Sequence, residues 1–176
     1  MKLIKKNEID NIIGKASFWT PKKIVGLCEY SAGLEEIDDA LGVQNFFKTK
    51  PLVNFEKHSD GIEISIMNNF KMHYVAINNS EIKSISLEKG SVIDIEERSV
   101  VGRAIAGGLL LGPLGAIIGG ASGMKDKIIK DSDNLIIIVQ SNDIEQALLF
   151  EIKKAKTKEV LDFYRENFSS VFSVNG

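Results

Sequence analysis

The sequence predicts a mainly β domain of the α+β class, in which about seven short antiparallel strands are closed by one C-terminal helix. Two patterns predict this fold class: apolar residues alternate with polar ones between turn-forming Asn, Asp and Gly residues, and helical spacing replaces that alternation near the C terminus. A third observation is a glycine-rich run, uncharged from Ala104 to Gly123, that interrupts the strands. The chain of 176 residues is long enough for one hydrophobic core.

The clearest strand pair is centred on Asp60-Gly61. Residues 52–56 precede this turn, and Ile62, Ile64 and Ile66 alternate with polar residues after it. An Asp-Gly turn between alternating runs is a strong hairpin signal. The other predicted strands share this β-branched or alternating character and cover residues 73–77, 82–87, 92–95, 135–139 and 147–152.

Helical spacing occurs in two places. Near the C terminus the apolar residues Val160, Leu161, Tyr164 and Phe168 fall on one face, and Thr157 is the predicted cap. In the N-terminal segment, 1–50, the residues 34–41 carry a weaker pattern that predicts a short amphipathic helix. Residues 169–176 are expected to be a tail.

The order of these elements resembles that of a known fold. The strand pair 73–77 and 82–85, and then the strands 135–139 and 147–151 followed by the helix with Val160 and Phe163, look like bacterial pleckstrin-homology-like (PH-like) domains, which are related to PH and GRAM domains. The resemblance covers residues 51–168. It implies a seven-strand barrel or orthogonal sandwich closed by a C-terminal helix.

The interrupting segment adds to this resemblance. Residues 103–116 read Arg-Ala-Ile-Ala-Gly-Gly-Leu-Leu-Leu-Gly-Pro-Leu-Gly-Ala, which is similar to an insert that some bacterial and phage PH-like proteins carry. PH domains that bind phosphoinositides use several basic residues in their first hairpin. The loop matched to that hairpin, 55–61, holds one lysine beside two acids, so inositide recognition is not expected here.

The glycine-rich segment predicts a helical hairpin and not a single membrane span. Pro113 lies in its middle and glycine is frequent, which disfavours one unbroken helix. We expect one arm over residues 99–111 and a second over 114–125. Small residues recur at every fourth position in both arms, a spacing that lets two helices pack closely.

The residues assigned to this hairpin form three sets. The predicted helix–helix packing residues are Gly108, Gly112, Gly115, Gly119 and Gly123. The predicted contact surface consists of Leu109, Leu110, Leu114, Ile117 and Ile118. The basic residues expected to contact an anionic partner are Arg103, Lys125 and Lys127. The outward leucines and isoleucines require a cover, which is the chain's own sheet, another copy or a membrane interface.

Composition limits the function classes. A net charge of −2 disfavours nucleic-acid binding. His58 and His73 lack neighbours at metal-ligand spacing, and Cys28 lacks a His-plus-acid partner set, so no metal, cofactor or catalytic residue is predicted. The N terminus does not read as a signal peptide, and a cytoplasmic location, or a peripheral one at the inner membrane face, is expected.

Two functional hypotheses follow. The first is a non-enzymatic PH-like module that forms homo-oligomers or contacts a membrane through the glycine hairpin. The second is a soluble bacterial or phage accessory protein that binds a partner protein, with the hairpin as internal packing. A basic cluster where the last strand meets the helix, comprising Lys153, Lys154, Lys156 and Lys158, is read either as a solvated surface or as an anionic-lipid contact.

Overall fold

The computed structural model describes residues 2–17, 22–34, 37, 50–68, 70–89, 133–141 and 144–175. Several sequence predictions lie outside these residues. They are the strand over 92–95, the two hairpin arms over 99–111 and 114–125, and most of the short helix predicted over 34–41. The predicted boundaries of the PH-like domain, residues 51–168, also remain a prediction.

The described part of the chain contains eight strands and two α-helices. The strands are β1 (Lys23–Ala32), β2 (Leu52–Lys57), β3 (Gly61–Asn68), β4 (Lys71–Asn78), β5 (Ile82–Glu88), β6 (Asp133–Ser141), β7 (Ile144–Ile152) and β8 (Phe172–Asn175). The helices are α1 (Ile9–Ile13) and α2 (Thr157–Phe168), and the 3₁₀ helices are Lys6–Glu8, Asn79–Glu81 and Lys154–Lys156. The predicted strands around 52–56, 62–66, 73–77, 82–87, 135–139 and 147–152 are therefore confirmed.

All eight strands belong to one sheet with the order β4-β3-β2-β1-β7-β6-β5-β8. The neighbours are antiparallel except β5 and β8, which are parallel. The prediction of a closed seven-strand barrel is wrong, because the sheet is open. β8 pairs with the outer edge of β5, and Ile4 bridges Tyr74 on β4, so each end of the described sheet meets a chain terminus.

Two strands lie outside the range that resembles PH-like domains. β1 lies in the middle of the sheet, between β2 and β7, and β8 lies in the expected tail. A bulge between Val25 and Cys28 hides the alternation of β1 from sequence inspection. Gly26 occupies it with φ of +63°, and its N–H donates to Asn54 Oδ1 at 2.8 Å.

One hydrophobic core joins the inner faces of the strands and α2. The Phe55 ring centroid lies 5.0 Å from that of Phe150 and 5.8 Å from that of Tyr164, both in edge-to-face geometry. The predicted C-terminal helix is thus confirmed, with Val160, Tyr164 and Phe168 buried. The predicted Thr157 cap is wrong, because Thr157 is the first helical residue of α2 and Lys156 occupies the cap position. The Thr157 hydroxyl donates to Asp133 Oδ2.

The described residues before β1 pack against the outer face of the sheet through α1. Ile9 and Ile13 of α1 are buried there, although they do not belong to the main core. The Asp60 N–H donates to the carbonyl oxygen of Ile13, which ties α1 to the turn between β2 and β3. Residues 61–66 of β3 are buried on both faces, including the polar residue Glu63.

Candidate functional site

The predicted hairpin residues cannot be placed. All three sets lie outside the described residues: Gly108, Gly112, Gly115, Gly119 and Gly123; Leu109, Leu110, Leu114, Ile117 and Ile118; and Arg103, Lys125 and Lys127. The structure does define where the segment that contains them joins the sheet. It leaves after β5 and returns at β6, and the last paired residues on these strands are Glu88 and Asn134.

The first described residue after that segment lies beside the start of α2. Asp133, the first residue of β6, pairs in register with Ile152 of β7, and its carboxylate accepts the hydrogen bond from Thr157. The basic cluster predicted from sequence occupies this same junction between β7 and α2. The structure therefore places the start of β6, the first described residues after the glycine-rich segment, beside the lysine cluster.

The charge of this junction is partly balanced. Lys153 and Lys158 are exposed, and Lys153 Nζ lies 4.0 Å from Glu29 Oε1. Lys156 Nζ lies 3.0 Å from Glu159 Oε1. Surface ion pairs of this kind are weak and leave the lysines able to contact a stronger anion. The junction is thus a moderately basic surface and not a preformed anion pocket.

The outer face of β6 carries an apolar pair that is buried away from the main core. Ile136 and Ile138 are 1% and 9% exposed, although their side chains belong to a separate cluster from the core. Among the described residues, the partly buried Leu149 of β7 packs against them. This burial agrees with the continuous apolar run of β6, which is typical of a strand covered on both faces.

The hairpin between β3 and β4 has an apolar tip that sequence inspection missed. Phe70 is fully exposed and has φ of +61°, in the left-handed region that bulky residues avoid. Met67 is 41% exposed and lies opposite Met72, and Leu52 lies opposite Met67 on the other side. The sequence signal was an aromatic residue in the expected Asn-Asn turn, where a small or polar residue is usual.

The loop assigned by resemblance to the first hairpin is the second hairpin of the sheet, between β2 and β3. Its lysine, Lys57, has its Nζ 4.9 Å from the Phe168 ring centroid and 3.1 Å from Asn79 Oδ1. Burial lowers the pKa of Lys57, against the opposing effect of Asp60. Lys57 therefore supports the packing of α2.

The same turn contains a buried polar pair. His58 is buried, and its Nε2 lies 3.4 Å from Glu63 Oε2. Burial raises the pKa of Glu63, the neighbouring Glu56 raises it further, and His58 and Lys6 oppose the shift. His58 Nδ1 bonds the carbonyl of Gly14 and is not available as a ligand atom. The described residues contain no group of three or more His, Cys, Asp or Glu that could hold a metal ion.

The single cysteine has the environment of a core residue. Cys28 is fully buried, and burial raises the pKa of its thiol to about 12, against a smaller lowering by Lys153. A thiol with this pKa is almost entirely protonated at neutral pH and is a poor nucleophile. Cys28 is therefore a buried side chain that packs as a hydrophobic residue does.

Comparison with protein families assigns the chain. The model of the family described as "Glycine zipper containing PH domain" matches residues 41–160, which is more than half of the chain. This protein belongs to that family. No curated protein and no solved structure matches it.

The description of the family agrees both with the β-rich fold and with the glycine-rich segment. The match spans β2 to β7, the start of α2 and the whole glycine-rich segment. PH-like domains are generally binding modules and not catalysts. Within the described residues, no helix has the length and apolar character that a membrane crossing requires.

Proposed function

We propose that this chain is a non-enzymatic cytoplasmic binding module that uses its glycine-rich segment, residues 99–125, to contact an anionic membrane surface or to self-associate. The PH-like fold supplies a rigid sheet as the support. In this proposal the leucines and isoleucines of the segment face outward, and its glycines allow the two helices to pack closely. Peripheral attachment at the inner membrane face is the membrane form of this proposal.

The observation that carries the proposal is the contact between Asp133 and Thr157. Through it, the strand that follows the apolar segment in the sequence begins at the lysine-containing junction before α2. An apolar segment flanked by lysines matches the interface of an anionic bilayer, because apolar side chains enter the acyl boundary while ammonium groups remain at the phosphates. This arrangement favours the membrane over a second copy as the contact.

Flotation with phosphatidylcholine vesicles, with and without phosphatidylserine, tests the proposal, and light scattering of the lipid-free chain tests self-association. We expect flotation with the anionic vesicles or a defined oligomer. Gly115→Leu should abolish that property and leave the unfolding transition unchanged. Ala116→Leu adds similar bulk one position along and serves as the matched control. A chain that neither floats nor associates contradicts the proposal.

A second candidate function is supported by the outer face of β6. Ile136 and Ile138 are buried there, and among the described residues it is Leu149 that packs against them. In this alternative the glycine-rich segment is internal packing, and the module binds a partner protein through a sheet edge. Gly115→Leu should then weaken the fold itself.

Thiol labelling separates the two candidates. An Ile138→Cys variant should be protected in the intact chain under the second candidate, and should become reactive when residues 99–125 are replaced by a short linker. Native Cys28 is an unreactive internal reference, because it is buried with a raised thiol pKa. Val25→Cys is the reactive reference, because Val25 is 56% exposed. Protection that survives the replacement contradicts the internal-packing candidate.

A further inference from the structure

The β3–β4 hairpin places an aromatic residue where the backbone does not favour one. Asn68 pairs with Lys71, which leaves a two-residue connection, and Phe70 is its second residue with φ of +61°. Glycine is strongly preferred at such a position, and asparagine tolerates it. Phenylalanine gains no packing there, because its ring is fully exposed. Neither backbone preference nor burial explains this residue.

The apolar surface extends from the tip onto the outer face of the sheet. Met67 and Met72 are directly opposite each other on β3 and β4, and Leu52 follows on β2. Met67 is exposed, and the other two are partly buried. Methionine side chains are flexible and adapt to irregular apolar surroundings. The tip and these three residues form one surface, here called the tip surface.

The charges around the tip surface are mainly positive. Lys71 follows Phe70 directly and is exposed. Along the β4 edge, Ile4 bridges Tyr74, and Lys6 Nζ lies 5.7 Å from the Tyr74 ring centroid, so the exposed Lys5 and Lys6 are close to this edge.

Two acidic residues lie in register with Leu52 on the neighbouring strands β1 and β7, and each has a lysine close to its carboxylate. Glu29, which is opposite Leu52, lies 4.0 Å from Lys153, and Glu151, which is opposite Glu29, pairs with Lys50. Glu8 lies among the lysines beside β4, since its carboxylate accepts a hydrogen bond from the Lys5 N–H. The exposed Lys5, Lys6 and Lys71 outnumber it, and an excess of lysines around an exposed aromatic tip is complementary to a negatively charged surface.

We propose that the tip surface inserts into the interface of an anionic lipid bilayer, with Phe70 and Met67 among the upper acyl groups and Lys71 at the phosphates. A convex, fully exposed aromatic flanked by methionine and lysine matches this layer, in which apolar bodies and cationic heads are both accommodated. The contact uses described residues of the sheet and does not depend on the glycine-rich segment. It is a second attachment point, remote in sequence from the first.

A tryptophan probe tests the insertion in the full chain. The protein has one tryptophan, so Trp19→Phe combined with Phe70→Trp places the only indole at the tip. We expect a blue shift of its emission with vesicles containing phosphatidylserine, quenching by lipids brominated near the headgroup, and no shift with phosphatidylcholine alone. The same probe at Val25, an exposed apolar site on β1, is the matched control and should not shift.

Substitutions give an independent measure by flotation. Phe70→Ser should weaken partition to anionic vesicles by about tenfold, since one buried aromatic side chain typically contributes that much or more. Lys71→Glu should weaken it several-fold at low salt and have less effect at high salt. Val25→Ser should leave it unchanged. These exposed positions do not contribute to the core, so the fold should be preserved.

The outcomes separate this proposal from the preceding one. A tip probe that stays in water while the chain floats with vesicles overturns the insertion of the tip and leaves the glycine-rich segment as the membrane contact. A probe that shifts in a Gly115→Leu background supports the tip and shows that it acts independently. A blue shift that requires high protein concentration and no lipid indicates a contact between copies and overturns the lipid assignment.

Discussion

His58 Nδ1 donates a 2.7 Å hydrogen bond to the carbonyl oxygen of Gly14. A buried side chain beside the β2–β3 turn thus holds the residue that follows α1. The direction of this bond is fixed, because a carbonyl oxygen only accepts. The other ring nitrogen then faces Glu63, with Nε2 3.4 Å from Oε2. A favourable contact there requires a proton on either His58 Nε2 or the Glu63 carboxyl group. The attachment of α1 to the sheet through Gly14 is therefore coupled to protonation of the pair His58 and Glu63.

Glu63→Gln should change the pH dependence of stability. Burial, followed by Glu56, raises the folded-state pKa of Glu63 above its ordinary value of 4.5. The native state thus binds this proton more tightly than the unfolded state, and the associated stability is complete below 4.5 and is lost as pH rises through the folded pKa. The neutral amide lacks this loss, so the free energy of unfolding of the variant relative to the wild type should increase with pH. Urea unfolding across that pH range measures it.

Glu166→Gln is the control for this titration. Glu166 is exposed on α2, away from the buried pair, and its substitution should leave the slope of stability against pH unchanged. Parallel curves for the wild type and Glu63→Gln would show that the buried carboxyl group does not titrate differently in the folded chain.

Tyr164→Phe should stabilise the protein. The Tyr164 hydroxyl is fully buried, no hydrogen-bond partner for it occurs within the described residues, and burial raises its pKa well above 10.0. A buried hydroxyl without a partner keeps its desolvation cost, so removing it should increase the free energy of unfolding by about 1 kcal/mol. Urea denaturation measures this change.

Tyr30→Phe is the matched comparison and should have the opposite sign. The Tyr30 hydroxyl oxygen accepts a hydrogen bond from the Leu34 N–H at 2.6 Å, and both residues are buried. Its removal leaves a buried amide without that acceptor and should destabilise the fold by about 1–2 kcal/mol. Equal effects of the two substitutions would contradict the assignment of the Tyr164 hydroxyl as unpaired.

Much of the sheet could be predicted from local pattern, because strands with one buried face alternate. β2 and β3 around Asp60-Gly61 are the clearest case, and the continuous apolar run over 135–139 is typical of a buried strand. β1 could not be predicted in this way, because the bulge at Gly26 breaks its alternation. The order of the strands in the open sheet depends on pairings between strands that are distant in sequence, such as β1 with β7 and β5 with β8.

Less of the site could be predicted. The glycine-rich segment was recognised from composition and spacing, and the family match agrees with that recognition. The position of the start of β6 beside the lysine cluster depends on the contact between Asp133 and Thr157, which are distant in sequence. Phe70 was overlooked because it occurs in a turn, and sequence alone does not distinguish an exposed turn aromatic from one that folds back onto the core.

Thr157→Val should loosen the junction between β6 and α2. The Thr157 hydroxyl donates to the Asp133 carboxylate, and valine keeps the side-chain shape without the donor. We expect a loss of about 1–2 kcal/mol in the free energy of unfolding, as for other hydrogen bonds to charged groups. Thr157→Ser retains the hydroxyl and should lose clearly less. A valine variant that is no less stable than the serine variant would mean that the hydrogen bond contributes no more than the methyl group, which contradicts the prediction.

Alanine substitutions at Gly26 within β1 and at Gly33 directly after β1 should lower the free energy of unfolding by different amounts. Both have positive φ, +63° at Gly26 and +117° at Gly33. A Cβ atom at Gly26 would meet nothing within 4 Å, so Gly26→Ala should cost only the backbone penalty of about 1–2 kcal/mol. A Cβ atom at Gly33 would lie 2.2 Å from the Ala147 carbonyl oxygen and 3.0 Å from the Leu148 Cα, both backbone atoms of β7.

Because those backbone atoms cannot move without disturbing the pairing of β1 with β7, Gly33→Ala should destabilise the fold much more than Gly26→Ala. The measurement is urea unfolding of both variants, supported by amide hydrogen exchange of β7, which should accelerate for Gly33→Ala alone. Gly26→Asn is a further control, since asparagine tolerates the left-handed region and should cost less than alanine there. Comparable losses at the two positions would mean that the end of β1 can separate from β7 without penalty.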